Sequence, residues 1–411
     1  MSCCKRLLPA GTAASHMAAL ATVGGSGLMN TAEGFLMMNG CSSDKSDHVQ
    51  TVDRVMCIID ELQLDLRGLV VGTEAATGPF AWTAAIAAAA GATEVRIVAR
   101  TNAYGTAPRA IEETLAAVTA VTAKKVVRVS SITDARKGDV VTNLGPLRPF
   151  DEAAVAGMRP GSALPLMWET WEWRSLELDL RACVKQRVLV LGTDESHPAV
   201  RTMSYVGMIP VKLLLGAGEP VTGQRVALVG AGRFVRHMAM ALEGVGARVR
   251  QYDDPRDLGN WTPEAVVFAD HESPDLLVGN GGRLEVADFS ARIGRALVVH
   301  VSGFVDAQAI RTAGLRMVPD RIAQEAHRMS VTTGYIGIEP VLRLHAAGLA
   351  VGAALARAWQ VTGAYDESLR LALQAPIAQN FSVAQWHTAG KTFHVPSQSP
   401  EIRDAHYNPP F

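Results

Sequence analysis

The stretch that decides the fold runs from Gln224 to Asp253, QRVALVGAGRFVRHMAMALEGVGARVRQYD. Arg225-Val226-Ala227-Leu228-Val229 has the continuous apolar character of a strand buried on both faces of a parallel sheet. It ends in Gly230-Ala231-Gly232, after which Arg233 to Glu243 carries a helical pattern. A second strand, Ala247 to Tyr252, ends in Asp253 and Asp254. This is the first half of a dinucleotide-binding βαβ unit. The first glycine permits the tight turn, the second lets the backbone approach a pyrophosphate, and the helix N-terminus faces its charge. Asp253 follows Gly230 at about the spacing at which the motif places an acid on the adenosine ribose. Val235 holds the third glycine position, so these glycines also suit an empty Rossmann-type domain in which they only pack helix on strand.

The bulk properties narrow the class. The chain has 411 residues, 48% of them apolar, and a formal net charge of −1. That length suits two domains with sizeable cores, and the balanced charge argues against a nucleic-acid partner. The Ala-rich run Ala81 to Ala90 is too short to span a bilayer, and Pro9, Gly11, Ser15 and His16 interrupt any secretory signal. Five cysteines (Cys3, Cys4, Cys41, Cys57 and Cys183) match neither a zinc nor a CxxC spacing, which fits reduced thiols in a cytoplasmic protein. No metal constellation is present in the sequence pattern.

Outward from the glycine turn the chain alternates strand and helix. Residues 1–45 lack a period and read as an irregular N-terminal arm, and 47–63 read as an amphipathic helix. Strands follow at Gly68–Gly72, Glu94–Arg100, Lys125–Ser130, Asp139–Asn143, Ala163–Met167 and Val188–Gly192. Helices are expected at Phe80–Ala90, Ala107–Val121, Glu152–Ala156 and Leu176–Cys183. Val200 to Ala217 forms a crossing helix that Gly207 and Pro210 should kink. Further strands fall near Val266–Phe268, Leu276–Val278, Leu297–Val301 and Arg316–Val318. Pro340 to Trp359 is a long apolar return helix, and from Gln374 onward the tail reads as loop. The expected fold is α/β, with two doubly wound Rossmann-like domains. A substrate domain of 46–198 and 340–411 carries the dinucleotide domain, 199–339, as an insertion.

Ligands of open parallel sheets bind beyond the carboxyl ends of the strands. In the first domain those ends carry Glu74 and Thr77, Asn102, Asn143 and Arg148, the run Trp168-Glu169-Thr170-Trp171-Glu172-Trp173-Arg174, and Thr193-Asp194-Glu195-Ser196-His197. Capping explains Thr73, Thr101 and Asp194 individually, but the set exceeds what capping requires. Arg148 either binds a substrate anion bidentately or clamps its own loop; Arg174 is a second cation of that kind. His197 is the first choice for acid/base work, oriented by Glu169 or Glu195, although a histidine before proline also suits a surface loop. His300 is the second choice, with His271, His327 and His345 as competitors; His237 reads as packing.

The order of substrate domain, crossing helix, inserted dinucleotide domain and return helix resembles the superfamily of D-2-hydroxyacid dehydrogenases and S-adenosylhomocysteine hydrolase. The resemblance spans roughly residues 68–355. Leu297 to Asp306 is similar to the late-strand stretch of the dehydrogenases, with Ser302 where their substrate-binding arginine stands. Met317-Val318-Pro319-Asp320 falls at their Pro-His pair, with Asp320 replacing the histidine. Thr77 with Asn102, and Trp168-Glu169-Thr170, are similar to substrate-binding positions of the hydrolase, whereas its catalytic Lys and Asp have no counterpart after Glu195. The resemblance implies a nucleotide-assisted redox site between two domains with altered catalytic groups.

These readings lead to an NAD(P)-dependent oxidoreductase acting on a small polar, carboxylate-bearing metabolite in the interdomain cleft. Catalytic candidates are His197, Glu195 and Glu169, and substrate-binding candidates are Glu74, Thr77, Asn102, Asn143, Arg148 and Arg174. Cofactor-binding candidates are Gly230, Gly232, Arg233, Phe234, Asp253 and Ser302. Asp253 favours NAD, while Arg256 keeps NADP open. A hydrolase or lyase with tightly held NAD, and a non-catalytic binding protein on the same scaffold, are the alternatives. No nucleic acid or membrane partner is expected, and the apolar return helix and aromatic tail suit a homodimer or intramolecular packing equally.

Overall fold

The computed structural model describes residues 43–393 apart from Lys125, Asn260 and His327. The expected arm therefore lies outside the described residues except for 43–45, which open the first helix; the end of the aromatic tail also lies outside them. In chain order the first half contains α1 (Ser43–Glu61), β1 (Val70–Glu74), α2 (Trp82–Ala89), β2 (Glu94–Val98), α3 (Ala107–Val121), β3 (Val127–Arg128), α4 (Ile132–Ala135), β4 (Val140–Val141), α5 (Glu152–Ala156), β5 (Ala163–Pro165), α6 (Leu180–Gln186) and β6 (Leu189–Thr193). After the crossing helix α7 (Thr202–Gly216) come β7 (Arg225–Val229), α8 (Arg233–Gly244), β8 (Arg248–Tyr252), β9 (Ala265–Ala269), β10 (Leu276–Val278), α9 (Val286–Ile293), β11 (Leu297–Ser302), β12 (Phe304–Val305), α10 (Ala307–Thr312) and β13 (Met317–Val318). The chain closes with α11 (Glu339–Thr362), α12 (Tyr365–Ala372), β14 (Ala378–Gln379) and α13 (Val383–Thr388).

Two parallel sheets result. The first has the order β14-β6-β5-β4-β1-β2-β3; leaving out β14, its strands run 3-2-1-4-5-6, the order of doubly wound dinucleotide-type sheets. The second has the order β13-β11-β9-β7-β8, so its order reverses between β7 and β9. β10 and β12 form a small parallel pair beside it. Both sheets belong to one compact unit that begins at His48. The apolar runs that suggest strands are buried on both faces: Val226 to Val229, Ala265 to Ala269 and Leu297 to Ser302 are almost wholly removed from water.

The tail departs from expectation. From Gln374 it is not only loop: β14 adds antiparallel to the edge of β6, pairing Ala378 with Thr193 and Gln379 with Gly192. Helix α13 follows, closed by a reciprocal capping box between Ser382 and Gln385. Two residues of edge strand leave too short a pattern to be legible against the surrounding Pro and Gln.

Small residues set the helix approaches. Helix α7 runs as one helix, Thr202–Gly216, with Gly207 and Pro210 inside it. Gly207 serves close packing on α8, because a Cβ there would lie 2.5 Å from the backbone oxygen of His237. Helix α11 is long and apolar enough to cross a bilayer, but 78% of its apolar window is buried in the protein. It lies against the first sheet, where Gly352 would bring a Cβ to 2.5 Å from Val140 and a Cβ on Gly348 would overlap the sulfur of Met167. At the crossing, buried Arg343 of α11 binds Glu339 (2.8 Å), Glu61 of α1 (2.5 Å) and the Ala199 carbonyl before α7 (2.8 Å).

Gly207→Ala should therefore destabilise the protein by about 1–3 kcal/mol through overpacking, read as a shift in the denaturation midpoint. Gly244→Ala is the control, since nothing lies within 4 Å of a Cβ there. A neutral Gly207→Ala would contradict the close-approach role.

Candidate active site

The second sheet positions the glycine turn. Gly230 follows β7 with φ +133°, and Gly232 caps α8 with φ +88°. Both values lie where an L side chain is strained. A Cβ on Gly230 would come 2.7 Å from the Asp270 nitrogen at the end of β9. The turn thus occupies the β7/β9 switch point, where open sheets of this kind take their ligands. Val235, at the third glycine position, is buried in the core beneath α8.

Facing it are the ends of β5 and β6. The chain after β5 carries Glu169, 2% exposed. Its carboxylate accepts from Trp171 Nε1 (2.5 Å), from Arg233 Nη1 (3.0 Å) and Nη2, and from Gln379 Nε2 (3.4 Å). Arg233 is the first residue of α8, so the pair joins the two sheets across the cleft. Trp171 meets His271 edge-on at 5.2 Å, and His271 stacks on Phe234 at 4.8 Å. These groups line a cavity of about 440 Å³ with Glu169, Arg233, Glu272 and Gln379.

Behind Glu169 stand two further carboxyls. Glu172 is pushed up to about 7, first by burial and then by the Glu169 charge, with Arg174 and Arg233 opposing. Buried Glu195 is held well above the usual carboxylate range by burial, and by Glu172 and Glu169; Arg233 and a hydrogen bond with Thr202 oppose this. A carboxyl raised toward neutrality by burial and a neighbouring charge is a candidate general acid/base.

The candidate residues fall into distinct places. Glu169, Arg233 and Phe234 line the cavity; Glu195 does not, although the charges of Glu169 and Arg233 act on it. His197 does not line it; its Nδ1 accepts from the Ala199 N–H at 3.2 Å within the turn after β6. His300 is fully buried and bonded at both nitrogens, to Ser330 Oγ (2.7 Å) and the Gly303 oxygen (2.6 Å). Burial holds it down at about 4, so it braces the β11 loop. His345 bonds Thr83 at 2.6 Å inside the first core, and His327 lies outside the described residues.

Among the substrate-binding candidates, Arg148 and Arg174 both pair with Glu177, at 2.7 and 3.2 Å, beside Trp168 and Asn143 in a separate crevice. Arg148 thus clamps its surroundings, through Glu177. The Asn143 side-chain oxygen accepts from the Met167 N–H. Thr77 and Asn102 meet around the exposed 102–105 turn, through Tyr104, away from the cavity lining. Glu74 ends β1 in the core, raised to about 7 by burial with Arg148 opposing. Thr73 pairs with Thr142 across neighbouring strand ends, whereas Thr101 accepts from the Ala107 N–H and Asp194 binds Ser196 within their own turns.

Three participants carry no role in the sequence reading. Glu172 stands in the polar run without one. Gln379 lies in the tail that reads as loop, where no signal marks it. Glu272 follows β9 in Asp270-His271-Glu272-Ser273, a polar strand end of the second domain to which the same strand-end rule applies.

The turn passes a test of fit for a dinucleotide. The glycines put no side chain into the turn, and exposed Asp253 ends β8 beside it, where the Tyr252 carbonyl accepts from the Gly230 N–H at 2.9 Å. Ser302 Oγ, at the end of β11, is buried with no hydrogen-bond partner among the described residues. Arg256 is already engaged by Asp254 through two bonds of 2.8 Å.

No protein-family model matches the chain, and no curated protein matches it. Among solved structures it is similar to a dipicolinate synthase chain from Bacillus halodurans, at 11% identity and TM-score 0.45, over 71% of this chain and 99% of that one. The corresponding chain from Bacillus subtilis gives 10% identity and TM-score 0.47, over 72% and 99%. NAD-dependent formate dehydrogenase from Staphylococcus aureus, solved with NAD, gives 13% identity and TM-score 0.30, over 54% and 81%. These likenesses are distant.

Glu74, Glu172 and Glu195 are all raised in the fold, so their protonated forms support it. That contribution is complete below the ordinary carboxylate value of 4.5 and is lost as pH rises through about 7 for Glu74 and Glu172. The melting temperature should fall between pH 5 and 8, and Glu74→Gln should flatten part of that slope. An unchanged slope would contradict the assignment to Glu74.

Proposed function

We propose that the protein is an oxidoreductase that moves a hydride between a nicotinamide dinucleotide and a small polar metabolite held in the cleft. One observation carries this reading: Arg233 and Phe234, which follow directly on the glycine turn at the switch point, line one cavity with buried Glu169 from the first sheet. In this reading the N–H groups of residues 230–234 hold the phosphates, Asp253 binds the ribose, and Ser302 Oγ meets the nicotinamide half. When bound, the nicotinamide ring supplies or accepts the hydride. Glu172, coupled through Glu169 to the cavity wall, is the group we assign to take or return the substrate proton, with Glu195, its affinity for protons raised by burial, as its neighbour. Glu169 fixes Trp171 and Arg233 rather than moving a proton, since four donors already fill its lone pairs. The cations that suit a substrate carboxylate by sequence, Arg148 and Arg174, are engaged by Glu177, so the reading extends to polar metabolites without that group. NAD is favoured over NADP, because Asp253 repels a 2′-phosphate and Arg256 is committed to Asp254.

Titration with NADH and NADPH, followed by nicotinamide fluorescence, tests the cofactor. NADH should bind more tightly, and Asp253→Ala should weaken NADH roughly ten-fold while barely changing NADPH. Binding of neither cofactor would remove the proposal. In a substrate screen followed at the reduced-nicotinamide absorbance, Glu172→Gln should lower turnover roughly 100-fold or more, whereas His197→Ala should retain it. The reverse pattern would return the proton to His197.

A further inference from the structure

The cavity beside Glu169 is walled by aromatic rings. Trp171, Phe234 and His271 supply three of its seven lining residues. Trp171 is 47% exposed, yet its indole is held in place. Its N–H donates to buried Glu169 at 2.5 Å, and His271 abuts the ring edge-on at 5.2 Å. A large aromatic surface is thus fixed in the cavity wall. The face of an indole carries negative potential and attracts a cation within about 6 Å of its centroid. The Arg233 guanidinium already lies over this ring at 6.0 Å, the outer limit of such a contact.

The charges of the wall are unequal. Arg233 is the one arginine or lysine among the lining residues, and Glu169 binds it through both terminal nitrogens. That pair cancels and leaves the exposed Glu272 carboxylate, which has no ion pair among the described residues. Arg148 and Arg174 are bound to Glu177 in another crevice. A ligand carboxylate entering the cavity meets Glu272 and no uncommitted cation of arginine or lysine. A ligand cation meets Glu272 and an aromatic face, both of which attract it.

We propose that this cavity is a cation-binding box, and that the substrate it takes carries an ammonium or quaternary ammonium group in place of a carboxylate. The proposal deepens the oxidoreductase reading and rests on it in taking this cavity as the substrate site. Trp171 and Glu272 are then the specificity-determining residues, and Glu169 is a positioning residue that acts through Trp171. The dinucleotide phosphates of that reading lie on backbone N–H groups of the glycine turn, so they do not call on the side-chain charges of the wall.

The test is isothermal titration of the full chain with three ligands that share a benzene ring: benzyltrimethylammonium, benzyl alcohol and phenylacetate. The wild type should bind the cation about ten-fold more tightly than the alcohol, and phenylacetate more weakly than either. Trp171→Leu should remove most of the cation's advantage over the alcohol. Glu272→Gln, on an exposed side chain, should weaken the cation about three-fold and leave the alcohol unchanged, with the difference shrinking in high salt. It decides the question by itself if Trp171→Leu fails to fold. Glu243→Gln in α8 should behave as the wild type. No binding of the cation, phenylacetate binding as tight as the cation's, or a cation affinity that neither substitution changes would overturn the proposal. NADH is titrated in parallel. Cation preference without NADH binding would support the box and remove the oxidoreductase reading, whereas NADH binding without cation preference would overturn the box alone.

Discussion

The arrangement depends on one ion pair across the cleft. Glu169 is almost wholly buried, and a carboxylate removed from water must be compensated by charge and hydrogen bonds or be given up. Its compensation comes from three separate parts of the chain: Arg233 from the second sheet, Trp171 from its own loop and Gln379 from the tail. A single side chain therefore ties the head of α8 to the ends of β5 and β14. The same cluster crowds Glu172 and Glu195, whose raised affinity for protons follows from burial beside a charge that is already present.

That constraint links stability to function. The carboxyls that suit acid/base work are ones the fold would rather keep protonated, so the site stores part of the cost of being poised near neutrality. The turn opposite is in a similar position. Its glycines adopt backbone angles that side chains avoid. The long helix α11 is buried on the first sheet beneath this arrangement.

Much of the fold is legible because burial on both faces leaves continuous apolar runs. The strand Arg225–Val229 and the helix Ala107–Val121 have the bounds their patterns give. The tail is not legible, because a two-residue edge strand has no period to read and its capping box lies among residues typical of loops. The site is partly legible. The rule that ligands gather at strand ends finds Glu169, Glu195 and the glycine turn, yet applied to the first domain alone it passes over Glu272. Histidine chemistry draws attention to His197 and His300, but no pattern in the sequence tells that a ring nitrogen accepts a neighbouring N–H or that both nitrogens are tied within a core. The destination of Arg148 and Arg174 is equally hidden, since Glu177 carries no mark of being their shared partner.

The central claim, that the glycine turn and the carboxyl cluster form one dinucleotide cleft, is tested most directly by hydrogen–deuterium exchange with and without NADH. The account expects slowed exchange at the backbone of residues 230–236, at the end of β8 near Asp253, and in the 270–273 turn, with coupled slowing at 169–172. No protection at the glycine turn, or protection confined to the crevice around Arg148 and Glu177, would contradict it.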